Sequence, residues 1–122
     1  MSDILNRAKQ HYKDKLNNEI RTVEVPEWGD ESGPLKIYVK PANLAIRDKI
    51  YKFASKGSLE ALVETIILRA KDSDGLSLFT PADRKTFIND VDPDVIARVA
   101  GEISEDLIDI TGEIEVGEAG KN

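Results

Sequence analysis

No cysteine occurs among the 122 residues, which removes disulfides, thiol catalysis and cysteine-ligated zinc together and fits a reducing compartment. Histidine occurs once, as His11. Catalytic zinc needs several ligands at set spacing, and a hydrolytic triad needs a histidine oriented by an acid and paired with a nucleophile. A lone histidine beside an apolar stripe supports neither, and no G-x-S-x-G turn supplies a serine. The phosphate cradles G-x-x-x-x-G-K-[ST] and G-x-G-x-x-G are also missing. No apolar run approaches the ~20 residues of a membrane helix, and "MSDILNRAKQHYKDK" is charged within three residues of its start, unlike a secretory leader. Together these absences predict a cytosolic protein that is not an enzyme, with no cofactor, no bound metal and no membrane contact.

Positive charge is in short supply as well. Residues 1–100 hold 16 Lys+Arg against 16 Asp+Glu, whereas 101–122 hold 1 Lys against 7 acids, so the last stretch carries the whole net charge of −6. A balanced body gives no broad positive field for a phosphate backbone, and the acidic end would repel one. General nucleic-acid binding is disfavoured.

What is present is one domain's worth of chain, able to bury roughly two thirds of its unfolded surface. From Asp3 to about Leu16, a face of Ile4, Leu5, Ala8, Tyr12 and Leu16 alternates with charge. That is an amphipathic helix, and its short apolar face with interleaved acids fits a solvated bundle helix better than a membrane-surface one. The β-branched alternation of Val23 and Val25, and of Leu35, Ile37 and Val39, predicts two antiparallel strands. Between them, Pro26, Gly29, Gly33 and Pro34 bracket Trp28, predicting a loop of about eight to nine residues where a usual hairpin has roughly 2–5.

After Pro41 the pattern is helical. Leu44, Ile46, Ile50, Phe53 and Ala54 share a face up to Gly57, and Ser58 stands where a cap belongs. Leu59, Leu62, Val63, Ile66, Ile67 and Ala70 then form the strongest stripe, predicting a helix to about Asp72 with Gly75 as its left-handed stop. A short helix from Pro81 to about Asn89 carries Phe87 and Ile88. A last one begins at Asp92 and Pro93 with Val95, Ile96, Val99, Ala100 and Ile103 inward. The fold class is therefore α+β, mainly α: about five helices with a two-stranded hairpin. Residues 1–106 form one domain, and 107–122 an acidic tail with little to bury.

The stretch "AKDSDGLSLFTPAD" resembles a calcium loop until its register is counted. With Asp72 first, Leu76 stands at position 5, Gly75 comes two residues before the required turn, and position 12 is Asp83 instead of glutamate. Helix stop, connector and helix start explain the same residues. Thr80 is an N-cap, Pro81 suits the first helical position, and Asp83 returns a capping hydrogen bond. The last two helices could pass for a helix-turn-helix, but the second carries Arg98 alone against Asp92, Asp94, Glu102, Glu105 and Asp106 and would be pushed off DNA. Trp28, with Pro26 beside it, either plugs one end of the core or anchors a partner. Leu68, out of phase with its stripe, is either a lone exposed leucine or a subunit contact.

With these residues in view, the chain resembles the tail assembly chaperones of long-tailed, lambda-like bacteriophages. The resemblance rests on "VPEWG", "PLKIYVKPAN" and "AKDSDGLSLFTPADRKTF", and spans roughly residues 20 to 105. It implies a helical protein with a small strand pair that acts in the host cytoplasm during tail morphogenesis and is absent from the finished virion. It further implies binding to the tape measure protein, recruitment of tail tube subunits and self-association. Family members commonly have a longer form made by ribosomal frameshifting, and Gly120, Lys121 and Asn122 can be encoded by GGA AAA AAC, which contains a slippery heptamer. The alternatives are a small calcium-binding module built on Asp72, Asp74, Ser77 and Asp83, or an adaptor of another phage or bacterial assembly.

Overall fold

The computed structural model describes residues 2–57 and 59–107. The expected cap Ser58, the acidic stretch after Leu107 and the junction Gly120, Lys121 and Asn122 lie outside them. Among the described residues the fold is α+β, mainly α: six helices, five of at least seven residues, and one antiparallel hairpin. In chain order these are α1 (Ser2–Asn18), β1 (Arg21–Asp30), β2 (Gly33–Val39), α2 (Leu44–Ser55), α3 (Glu60–Arg69), a 3-10 turn (Pro81–Asp83), α4 (Arg84–Asp90) and α5 (Pro93–Ile103).

The hairpin follows its β-branched pattern. Val23, Val25, Ile37 and Val39 turn to one face and are buried, while Thr22, Glu24 and Lys36 face water. A two-stranded sheet is marginal alone and must lean on something apolar. Here it leans on α3 and α5, whose Ile66, Ile67, Val99 and Ile103 join it in one core with Phe87 of α4. The five residues of α5 expected inward are the five buried ones. Asp92 begins that helix, its carboxylate accepting from the Asp94 N–H at 2.9 Å, and Pro93 follows where no N–H is needed.

α3 lies in the middle, packed on α2, α4 and α5. Its burial is almost all round and includes Glu64, Thr65 and Arg69. Each of these polar groups is answered. The Thr65 hydroxyl donates to the Ala61 carbonyl at 2.8 Å, and Glu64 receives Arg84 at 2.9 and 3.0 Å. The Arg69 guanidinium, 2% exposed, donates to both Asp106 oxygens at 2.8 Å, to the Lys40 carbonyl at 2.8 Å and to the Ile103 carbonyl at 3.2 Å. Arg21 reaches the same end of α5 through the carbonyls of Glu102 and Ile103, and pairs with Asp106 at 3.3 Å. One carboxylate thus fastens the root of β1, the end of α3 and the end of α5.

Several expectations need correction. The hairpin turn is only Glu31–Ser32, because β1 runs on to Asp30 instead of dissolving at Pro26, so Trp28 sits on a strand. α3 stops at Arg69, short of Asp72, since the chain swings out at Ala70 so that the Tyr38 N–H can donate to the Lys71 carbonyl at 2.8 Å. Gly75, at φ +86°, therefore serves a tight loop bridged by Lys71 and Ser77, not the helix end. Leu44 and Leu59 are 84% and 80% exposed, because α2 meets the core chiefly through Ile50 and Leu59 stands at the N-cap of α3. The largest departure is α1. Residues 3–11 are all exposed, and only Tyr12, Lys15 and Leu16 are half-covered, so α1 is an arm and not a bundle member.

Candidate functional site

Proline carries no N–H and cannot complete a ladder. Pro26 and Pro34 fall on the two strands near the hairpin tip, and pairing lapses between Val25↔Leu35 and Asp30↔Gly33. Four β1 residues, Pro26 to Gly29, are set there against Pro34 alone, which makes a large bulge. The Asp30 carboxylate accepts from the Ser32 N–H at 2.8 Å and fixes the turn. Gly29 is required by space: a Cβ there would run into the Gly33 carbonyl oxygen and stand 2.7 Å from the Pro34 Cα. Glu27 ties the bulge to α5 by two bonds to Arg98, of 2.6 and 2.7 Å. That hydrogen-bonded guanidinium pulls the Glu27 carboxyl down from 4.5 to about 2.

The bulge presents Trp28 to two phenylalanines. Its ring centroid lies 6.2 Å from that of Phe79, edge-on, and 5.9 Å from that of Phe87; the two phenylalanines meet at 4.9 Å, T-shaped. These are favourable aromatic geometries. Of the chain's one Trp, three Tyr and three Phe, three are gathered here. Leu35, Leu78 and Val91 complete the wall of a groove of about 460 Å³, with Asp83 and Thr86 on its rim. Phe87 is buried, while Trp28, Phe79, Leu35, Leu78 and Val91 keep part of their surface free. Such an apolar hollow suits a side chain or helix ridge from another molecule.

The 3-10 turn holds the far wall. The Thr80 N–H donates to the Asp83 carboxylate at 2.9 Å, the Asp83 N–H returns to the Thr80 carbonyl at 2.9 Å, and Pro81 opens the turn. This cap aims α4 so that Phe87 meets Trp28, while Ile88, one residue on, is 50% exposed.

The other candidates lie apart. Pro26 is exposed on the bulge and does not line the groove. Leu68 is half-buried in a separate hollow of about 220 Å³ with Tyr12, Leu16 and Ile46, where the later half of α1 passes. A polar hollow of about 530 Å³ lies beside Arg21 and Asp106, which pair with each other, and Arg47, whose Nε donates to the Ala42 carbonyl at 3.2 Å. In the aspartate loop, one Asp72 oxygen accepts from the N–H groups of Asp74 and Leu76, both at 2.9 Å. Among the described residues no three His, Asp or Glu side chains cluster to hold a metal, and no helix is long and apolar enough to cross a membrane. His11 is exposed on α1.

Sequence reasoning placed Trp28 but missed its companions. Phe79 reads as part of a connector and Phe87 as one core residue of a short helix; the scarcity of aromatics was the signal that they belong together. Compared with protein-family models, with curated proteins and with solved structures, the chain matches none.

Proposed function

We propose that this protein is a non-enzymatic holdase of the phage tail assembly chaperone type, which shields an apolar helical segment of the tape measure protein while tail tube subunits are brought to it. The observation that carries the reading is the Trp28–Phe79–Phe87 groove, an open aromatic hollow on a body in which, among the described residues, every buried side-chain polar atom has a partner. A rigid aromatic cleft of this kind grips an amphipathic helix through a few anchoring side chains. The reading places the protein in host cytoplasm during assembly and outside the finished virion. No observation favours the calcium module, because Asp72 spends an oxygen on its own loop and Lys71 Nζ donates to Ser77 Oγ at 2.8 Å.

Trp28 is the only tryptophan, so its fluorescence reports on the groove directly. Titrating the full chain with helical segments of a tape measure protein should shift the emission to the blue as water leaves the indole. Trp28→Ala should weaken binding by tenfold or more, on the order of 2 kcal/mol for an aromatic anchor, with circular dichroism unchanged. An unshifted emission at saturation, or a variant that unfolds yet binds normally when refolded by its partner, counts against the proposal.

A further inference from the structure

The aromatic groove has one charged side chain in its lining. Asp83 stands there with Thr86 beside the three rings, and among the described residues no lysine, arginine or histidine lines the hollow. Arg84 follows Asp83 in the chain but is turned to Glu64, which it meets at 2.9 and 3.0 Å. Asp83 therefore has no ion pair among the described residues. One of its oxygens accepts from the Thr80 N–H at 2.9 Å, which is the cap, and the other accepts nothing from the described residues. Capping accounts for half of the carboxylate.

Asp83 is half-buried, so its charge is only partly bathed in water and favours a positive partner from an occupant. The faces of the half-exposed Trp28 and Phe79 rings attract the same sign of charge through their quadrupoles. Two separate features thus select one chemistry. Carboxylate and rings line a single hollow of about 460 Å³, so a long side chain entering it meets both. Arginine suits them best, because its flat guanidinium stacks on a ring while its N–H groups bond a carboxylate. We infer that the groove recognises a basic amphipathic helix: an apolar side chain enters among the rings, and an arginine one turn away, at i+3 or i+4, bonds Asp83 and lies against the aromatic wall. The inference rests on the proposed function for its helical occupant, and adds the charge that occupant must carry. A helix with glutamate in that place is refused, since two carboxylates meet with no cation between them.

Two synthetic helices that differ in a single charge test it on the full chain. Each is a peptide of about 18 residues built from alanine, glutamine and a stripe of leucines, long enough to hold helix in water. One carries arginine a turn from the central leucine, and the other carries citrulline, which has the same shape without the charge. Trp28 emission follows the titration, since neither peptide contains tryptophan. The wild type should bind the arginine helix about tenfold more tightly than the citrulline helix, the sum of a rim ion pair and a ring contact. Asp83→Asn keeps an oxygen to cap Thr80 and loses only the charge, so it should cut that preference to about threefold or less, the ring contact alone. Thr86→Lys sets a positive charge at an exposed place on the rim and leaves the cap intact; it should erase the preference, and it is read in place of Asp83→Asn if circular dichroism shows that variant to be damaged. Equal binding of the two helices by the wild type, with the emission still shifting to the blue, overturns the inference and leaves the groove reading in place. A preference that survives in both variants overturns the assignment to Asp83. No shift with either helix brings down the groove reading and this inference with it.

Discussion

Replacing Asp106 with alanine tests the fastening at the base of the hairpin. The substitution leaves Arg69, only 2% exposed, without its two-pronged partner. Breaking a fully buried pair costs about 3–5 kcal/mol, because a charge is left in a poor dielectric. Two features reduce that here. The guanidinium keeps the carbonyls of Lys40 and Ile103, and Asp106 is itself 24% exposed, so water can replace its oxygens in part. The expected loss is therefore about 2–3 kcal/mol, a fall of about 10 °C in Tm for a domain of this size. Urea unfolding should show it as a lower midpoint at unchanged slope. Removing both charges together, as Arg69→Met with Asp106→Leu, should return the protein to within about 1 kcal/mol of wild type.

The same pair has a pH signature. Burial alone would raise the Asp106 carboxyl, but the Arg69 hydrogen bond and the charges of Arg69 and Arg21 outweigh it and hold the group below its ordinary 3.8. A carboxyl depressed by folding contributes its full stability above the unfolded value and loses it as pH falls through the folded one. The gap between wild type and Asp106→Asn should accordingly be flat above about pH 5 and close progressively below 3.8. A loss under about 0.5 kcal/mol for Asp106→Ala, or a gap that does not move with pH, refutes the account of a buried charge held by its partner.

Other outcomes follow from neighbouring features. NMR titration should place Glu27 at about 2, returning toward 4.5 in Arg98→Ala; the pair is surface-exposed, so high salt should move it the same way. Its small contribution to stability is present above the ordinary value and fades as pH drops toward 2. Gly29→Ala should cost about 1–3 kcal/mol and alter the near-ultraviolet signal of Trp28, since the hairpin tip must shift to admit the methyl group. Gly101→Ala, on α5 with open space around the new carbon, should raise stability by about 0.5–1 kcal/mol in the same denaturation assay.

The parts of the fold legible in the sequence are those where one periodicity decides burial. α5 shows its five inward residues at helical spacing, and the hairpin shows Ile37 and Val39 by alternation. α3 was less readable because its termination is not local: the bridge from Lys71 to Tyr38 draws the chain out of the helix, and no signal near Asp72 announces it. Pro26, Gly29, Gly33 and Pro34 carry real information, but about a bulge and not a loop; the same residues that break a ladder also permit one to resume at Asp30. The buried arginine was invisible for a further reason. A charged residue is buried only when its counter-charge is at hand, and Asp106 stands 37 positions away. For the groove, Trp28 stood out, yet its aromatic walls came from two other segments brought together only by the tertiary fold.

Every long element except α1 takes part in the principal packing contacts, and α3 sits at their centre. Amide protons of α3 should thus be released only when the entire molecule opens, while those in the first turns of the arm exchange early, at little free-energy cost. The chain is in effect an anvil with a handle, and limited proteolysis should clip the exposed first turns of the handle before it cuts the anvil.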